Sequence, residues 1–462
     1  MTTVISQHQD RRELARWTLF VFLVGLGLSM LLWLRSQVAG DQLNMLARGW
    51  LLIAEGQWIS FGLPTSAGGK APGGFTGVLV GLPLLIWQHH RAPTLIILAG
   101  NLVAYLLLDR VLAREMGAKA RLLFAVFYWL NPWRLYHASF LWNPNYLLPL
   151  GALHFWTVYR QRVRPRFWES FLQIVTIGLA AQVHASVVTL VVLSLLLWWK
   201  GYFRFHWAAV ALAIVVVTAS LLPWALTVLQ DPSLLPQATP QNGRLAQTAV
   251  SLSRGLGYWI RYPALIASST ILCLDFGFLP SAWTGDPIRH LIQGTVGLFT
   301  LPIVLWANSR LWRGATGWWQ RFANFDSFRQ WLVGVIRWSL LGTLAACALT
   351  PTAVMSWQLL TVLHLTVIPL VLLSMDLIGK GRLPVVRAGV VTYAAVSILL
   401  VIAIGVGSPM YRCGGATCGA MNADPPPLRA DHEMLDELAI HQTCLYEVNV
   451  PGGWWPDVLP EH

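Results

Sequence analysis

Charge is what this chain has least of. Asp, Glu, Lys and Arg make up 11% of it, against 56% hydrophobic residues, whereas a soluble domain carries roughly 25% charged residues. That deficit excludes an ordinary soluble fold. Acids are the scarcer sign, 20 against 32 basic residues. Cysteine is sparse as well: Cys273, Cys347, Cys413, Cys418 and Cys444 form no C-x-x-C pair, which leaves zinc and thioredoxin-like chemistry without a basis. There is no P-loop, G-x-S-x-G, H-E-x-x-H or strand-borne G-x-G-x-x-G, so nucleotide-driven and soluble hydrolase chemistry have no support. Solenoid periods and inverted repeats are missing too. A net charge of +12 would suggest nucleic acid in a soluble protein, but no nucleic-acid motif accompanies it, and basic loops that orient membrane helices account for it.

What the chain has in abundance is long apolar runs, several sufficient to cross about 30 Å of hydrocarbon. Its 25 tryptophans suit interfacial aromatic belts. The fold class expected is all-α: a polytopic transmembrane helical bundle of about 11 spans with external juxtamembrane helices. The first span, Trp17 to Leu34, follows the basic run Arg11-Arg12-Glu13-Leu14-Ala15-Arg16. It reads as an uncleaved anchor, because its apolar stretch exceeds a signal-peptide core. Positive charge retains the N-terminus in the cytoplasm and places residues 35–91 outside.

In that first external loop, Phe75 to Trp87 is too short to span and is expected at the interface. Ala92 to Leu108 then leads into a basic cytoplasmic loop, Asp109 to Arg121. Leu122 to Leu135 returns outward, and Tyr146 to Val158 goes in toward Arg160, Arg162, Arg164 and Arg166. Trp168 to Gln182 and Ala185 to Trp199 make a pair of short helices with His184 at the outer apex. Trp207 to Val228 opens a long external stretch, 229–289. Its apolar piece Ala264 to Phe278 is expected to be interfacial, because a crossing there would put Arg310, Arg313, Arg321 and Arg329 outside. Leu291 to Ala307, Trp331 to Leu349, Val354 to Ser374 and Ala388 to Val406 complete a membrane domain of residues 1–406. The small tail, 407–462, is expected outside, with eight acids and Cys413, Cys418 and Cys444. An oxidising exterior allows one disulfide there, and three pairings fit.

The chemistry-bearing candidates follow from this topology. Asp41, Glu55, Asp231, Asp275 and Asp286 are the external acids outside the tail, and Asp41 is nearest a membrane helix end. A carboxylate desolvated at the mouth of an apolar cavity becomes a better general base; an Asp before an apolar run equally serves as a helix cap. Asp275 is the second choice, with an interfacial turn as its plainer role. Among external cations, Lys70, Arg134, Arg254 and Arg261 lie beside apolar segments, where they suit a phosphate headgroup or snorkel to lipid. Arg48 and Arg91 are assigned to solvated or lipid-facing positions. Tyr258 and Tyr262 flank Arg261 in Tyr258-Trp259-Ile260-Arg261-Tyr262-Pro263, as a sugar site or an interfacial belt would have them. Asn143, Asn145 and His184 can donate to hydroxyls, or cap helices and fill a helix break.

The order of these features resembles the C-class (GT-C) integral membrane glycosyltransferases, the superfamily of the protein mannosyltransferases and the lipid A aminoarabinose transferase. The resemblance rests on the basic start, the external Asp41, Lys70-Ala71-Pro72 before a short apolar helix, and the basic first cytoplasmic loop. The external Pro132 loop and Gln182-Val183-His184 at a helical apex complete it. It covers roughly the first 200 residues, and order supplies most of its specificity. It implies transfer of a sugar from a polyprenyl-phosphate donor to a glycan, lipid or protein acceptor at the outer face of a bacterial inner membrane. It further implies Asp41 as general base, with Lys70 and Arg134 or Arg261 on the lipid phosphate. Many relatives have Asp-Glu in the first loop, where Gln42 follows Asp41 here. Many also carry a second acid where this chain has Asn143 and Asn145. A hard divalent cation normally needs two carboxylates, so no metal or other cofactor is expected. The rival readings are a lipid or polysaccharide transporter or flippase, which would gather charge at the bilayer midplane, and a non-catalytic envelope-assembly subunit.

Overall fold

The computed structural model describes residues 2–36, 41–65, 69–235, 244–266, 286–313, 327–352 and 354–407. Asp275, most of 264–278 and the tail cysteines lie outside these residues. The described chain is helical apart from one two-stranded antiparallel ribbon. Among the described residues seven stretches are long and apolar enough to cross a membrane: Arg11–Leu34, Ala92–Trp129, Trp207–Gln230, Ile288–Trp312, Phe328–Leu349, Ser356–Gly379 and Leu383–Val406.

The second of these stretches is not one passage. Helix α4, Ala92–Phe124, continues as a π-helix over Ala125–Trp129 but is broken at Gly117, whose φ of 83° lies where side chains rarely go. On a straight helix Tyr105 and Trp129 would stand about 36 Å apart, at 1.5 Å per residue; their rings lie 4.6 Å apart. The chain therefore folds back on itself, and Arg121 Nε donates across the bend to Asp109 Oδ1 at 2.8 Å. The basic loop read over Asp109 to Arg121 is thus the helical tip of a hairpin. With two arms counted here, and with the shorter helices α6, Leu147–Arg160, α7, Phe167–Val183, and α8, Val187–Trp199, the passages number about 11.

The remaining elements fall into place around these. Helix α1 is Thr2–Leu34, α2 is Asp41–Ala54, β1 and β2 are Phe61–Pro64 and Lys70–Pro72, and α3 is Phe75–Ile86. Helix α5 is Pro132–His137 and α9 is Trp207–Gln230. Helix α10 covers Arg244–Arg261, α11 Asp286–Trp312, α12 Phe328–Leu349, α13 Leu363–Thr366, α14 Ile368–Gly379 and α15 Leu383–Gly407. Reading by apolar runs passed over α10 because its face is amphipathic. Its buried residues Ser251, Gly255 and Trp259 recur every four positions, and Gly255 lets it approach Cys347 of α12.

Contacts gather at two ends of the bundle. At one, Glu115 accepts from Arg162 Nη2 at 2.9 Å and Tyr159 packs edge-on against Phe328 at 5.8 Å. At the other, a second apolar core ties α2, β1, α3 and the start of α4 to Leu141, Tyr146 and Val183. Asp41, Lys70, Asn143 and His184 lie on the segments that build this second core, whereas Trp142 and Tyr262 belong to the main one.

Candidate functional site

Asp41 heads α2, where the positive end of the helix favours a carboxylate. Its Oδ2 accepts from the indole Nε1 of Trp142, 101 residues away, at 3.0 Å. Burial raises its pKa above the ordinary carboxylate range, and the Trp142 bond offsets part of that rise. The carboxylate therefore holds a proton more readily than a solvated one does. Its position in the first turn of α2 leaves the side chain free to meet another segment.

Trp142 is 8% exposed and is not an interfacial anchor. Its ring stacks on His137 at 6.1 Å and on Phe140 at 5.9 Å, and it meets Trp357 edge-on at 5.0 Å. Asn145 is fully buried and holds this turn together: its Nδ2 donates to the Phe140 carbonyl at 2.9 Å and its Oδ1 lies 2.8 Å from His137 Nδ1. Since the Asn145 oxygen can only accept, His137 Nδ1 carries the hydrogen. Its Nε2 is then a bare acceptor, buried and without a hydrogen-bond partner among the described residues. Burial lowers the His137 pKa to about 4, so the imidazole is neutral at pH 7.

Two turns along α2 from Asp41, and on the same face, stands Arg48. It was assigned to a solvated or lipid-facing position; it is 2% exposed. Its Nε donates to Asn44 Oδ1 at 2.6 Å and its Nη1 to the Phe61 carbonyl at 2.7 Å. Membership of a face that turns inward against α3 and the ribbon overrides the outward placement expected of a lone arginine. Lys70 reaches the same Phe61 ring, with Nζ 5.8 Å from its centroid and the Arg48 guanidinium at 5.2 Å. The β1–β2 pairing of Phe61 with Pro72 brings this about.

The ribbon meets the α7–α8 apex. Gly73, at φ 77°, abuts the Gln182 side chain, and Gln182 Nε2 donates to Ser220 Oγ at 2.9 Å. Asn143 Nδ2 donates to the Val183 carbonyl at 3.0 Å, one residue before His184. His184 Nδ1 accepts the Ser186 N–H at 3.1 Å, and desolvation lowers its pKa. Asp41, Lys70, Asn143, Asn145 and His184 are therefore drawn into one region from four separate segments.

Residues from α10 approach the same end from another side. Arg254 is exposed and lies 3.5 Å from the Val354 carbonyl, just before the short helix that carries Trp357. The Tyr262 hydroxyl donates to the Ser356 carbonyl. Tyr262 itself is fully buried, edge-on to Trp133 at 4.8 Å, with its carbonyl accepting from Asn131 Nδ2 at 3.0 Å. Arg261 keeps its guanidinium 5.5 Å from the Tyr258 ring, and burial lowers its pKa.

Arg134 stands apart from the other cations. It is fully buried, with its guanidinium 3.8 Å from the Trp129 ring centroid and bonded to the Trp129 carbonyl and to Ser29 Oγ. Its side chain is turned toward Ser29 of α1. Lys70, Arg134 and Arg261 thus lie against three different sets of neighbours. Among the described residues no group of three His, Cys, Asp or Glu comes together.

Sequence reasoning misplaced Arg48 and passed over His137, Trp142 and Trp357. The seven-residue spacing from Asp41 to Arg48 was the available signal for the first. The tryptophans carried none, because 25 of them make anchoring the default reading of each.

No family model and no curated protein matches this chain. Among solved structures, ArnT from Cupriavidus metallidurans in the apo state is similar at 15% identity and a TM-score of 0.44, covering 87% of this chain and 78% of that one. ArnT from the same organism bound to undecaprenyl phosphate gives 14% identity and a TM-score of 0.45, with 86% and 78% covered.

Proposed function

We propose that this chain is a membrane glycosyltransferase that moves a sugar from a polyprenyl-phosphate donor to an acceptor hydroxyl at the membrane face holding Asp41. That face is the external one on the charge bias of the loops, with the N-terminus cytoplasmic and the C-terminus outside. The observation that carries the reading is the desolvated Asp41 carboxyl, set by the Trp142 indole in a region that also holds Arg48 and Lys70.

Glycosyl transfer asks for two things at once. The acceptor oxygen must lose its proton as it bonds to the anomeric carbon, and the phosphate leaving group must be stabilised as the old bond breaks. Asp41 takes the proton. The cations at the Phe61 ring, with Arg254 and Arg261 on the α10 side, stabilise the departing lipid phosphate. Asn143, His184, Tyr258 and Tyr262 line or support the space where the sugar sits, Asn145 keeps the Trp142 turn in shape, and Arg134 braces α1 against α5. The sugar, hexose or pentose, and the acceptor are identified by mass spectrometry of lipids and glycans from a deletion strain.

Asp41→Asn tests the reading directly. Asparagine keeps an acceptor for Trp142 but cannot take a proton, so turnover should disappear while protein level and donor binding stay near wild type. Unchanged turnover would remove Asp41 as the base and transfer the test to Asp275.

A further inference from the structure

A second charged site lies at the opposite end of the bundle. Trp357, which touches the partner of Asp41, follows the C-terminal end of α12. The 22 residues of α12 span about 33 Å at 1.5 Å per residue. At the other end of that helix a cavity of about 170 Å³ opens between α11, α12 and α14. That is close to the roughly 150 Å³ known to enclose a benzene ring.

Its lining is lopsided in charge. Arg310, Arg313, Arg329 and Arg337 face one carboxylate, Asp376. Arg329 and Arg310 share that acid: Arg329 bonds its Oδ1, and Arg310 Nη2 lies 3.6 Å from its Oδ2. Among the described residues Arg337 has no acid partner: its Nε donates to the Leu311 carbonyl at 2.6 Å and its guanidinium lies 5.9 Å from the Trp312 ring centroid. Arg313 is exposed and makes no ion pair among the described residues. Arg337 also lies nine residues into α12, about 13 Å along the axis, where a bilayer would place headgroup and upper acyl chain. The rest of the wall is apolar, including Leu311, Val333, Pro369 and Leu372.

We infer that this cavity binds the phosphate of an anionic membrane phospholipid, with an acyl chain along the apolar wall. A guanidinium held at membrane depth with no acid partner is costly unless an anion compensates it, and the arginine fork matches phosphate geometry. Basic pockets between membrane helices hold anionic headgroups for these reasons. A soluble anion would answer the charge but leave the apolar wall and the depth of Arg337 without a role.

The test uses the full chain, delipidated in a neutral detergent. Phosphatidylglycerol, phosphatidylcholine with the same acyl chains, and inorganic phosphate are added separately, and binding is read by native mass spectrometry and by the shift in melting temperature. Phosphatidylglycerol should bind at least about tenfold tighter than phosphatidylcholine, and more weakly as salt is raised. Arg313→Gln, on an exposed side chain that leaves the fold intact, should lower that affinity about tenfold, the effect of one charge-assisted contact. Arg337→Gln should lower it further, and Asp376→Asn should raise it. Equal binding of the two lipids overturns the proposal. So does a melting shift that inorganic phosphate reproduces in full, which would make this a site for a free anion. Unchanged phosphatidylglycerol binding in both arginine variants overturns it as well.

Discussion

Replacing Trp142 by phenylalanine isolates the one side-chain hydrogen bond that lowers the proton affinity of Asp41. Phenylalanine keeps a six-membered ring against His137, Phe140 and Trp357 and removes the pyrrole half of the indole with its N–H, whose bond to Oδ2 measures 3.0 Å. The sign follows from the two opposed causes. Burial raises the Asp41 pKa and the Trp142 bond lowers it, so losing the bond raises it further. A base works only when ionised, so the acid limb of kcat/KM against pH must move to higher pH. A hydrogen bond to a charged acceptor contributes about 1.5–3 kcal/mol, and one pH unit corresponds to about 1.36 kcal/mol. Asp41 retains some exposure, which places the effect at the lower end, a displacement of about one pH unit. On the acid side the variant should then run about tenfold slower than wild type, with the two profiles meeting on the plateau. Sugar transfer from a defined polyprenyl-phosphate donor, followed across pH on the reconstituted protein, measures this. Trp357→Phe, which disturbs the same aromatic packing without removing the donor to Asp41, should leave the limb in place. An unmoved limb in Trp142→Phe, with the fold intact by melting, would refute the assignment of Asp41 as the titrating base.

Two further outcomes follow from the same features. Since Asp41 has a raised pKa in the folded chain, its contribution to stability is full below the ordinary carboxylate pKa and is lost as pH rises through the raised one. Asparagine does not titrate, so the melting temperature of Asp41→Asn minus that of wild type should grow more positive between pH 4 and pH 7; a difference that stays flat or falls contradicts the desolvated carboxyl. On the charge-bias topology the loop 309–329 is cytoplasmic and the tail external, so a cysteine at the exposed position Arg313 should react with an impermeant reagent only after permeabilisation, and one at Pro426 before it; the reverse pattern would invert the topology.

The passages themselves were legible because long apolar runs between Lys and Arg clusters leave little choice in a bilayer. The α7–α8 pair about His184 and the short α3 were readable on the same ground. Residues whose placement depends on which face of a helix turns inward were not. Arg48 reads as one more surface arginine until α2 is seen to pack on α3, and α10 hides because its apolar residues are spaced rather than consecutive. Asp41 was found from position and charge, whereas its partner Trp142 arrives from a turn that no local pattern ties to the first loop. Arg134 was legible as an unusual cation, but the direction of its side chain, toward Ser29 and Trp129, is decided by tertiary packing alone.

The fold-back at Gly117 bears on all of this through parity. A single pass over Ala92–Trp129 would leave its two ends on opposite sides of the bilayer, with Asp41 on one and Trp142 on the other. Two arms return the chain to the side it left, so a first-loop carboxylate and an indole about a hundred residues later share one compartment. The Asp109–Arg121 pair at the tip leaves part of the hairpin's charge mutually compensated. A residue that stiffens position 117 into a straight helix would therefore transpose the sidedness of everything downstream, and so abolish the site without touching any residue in it.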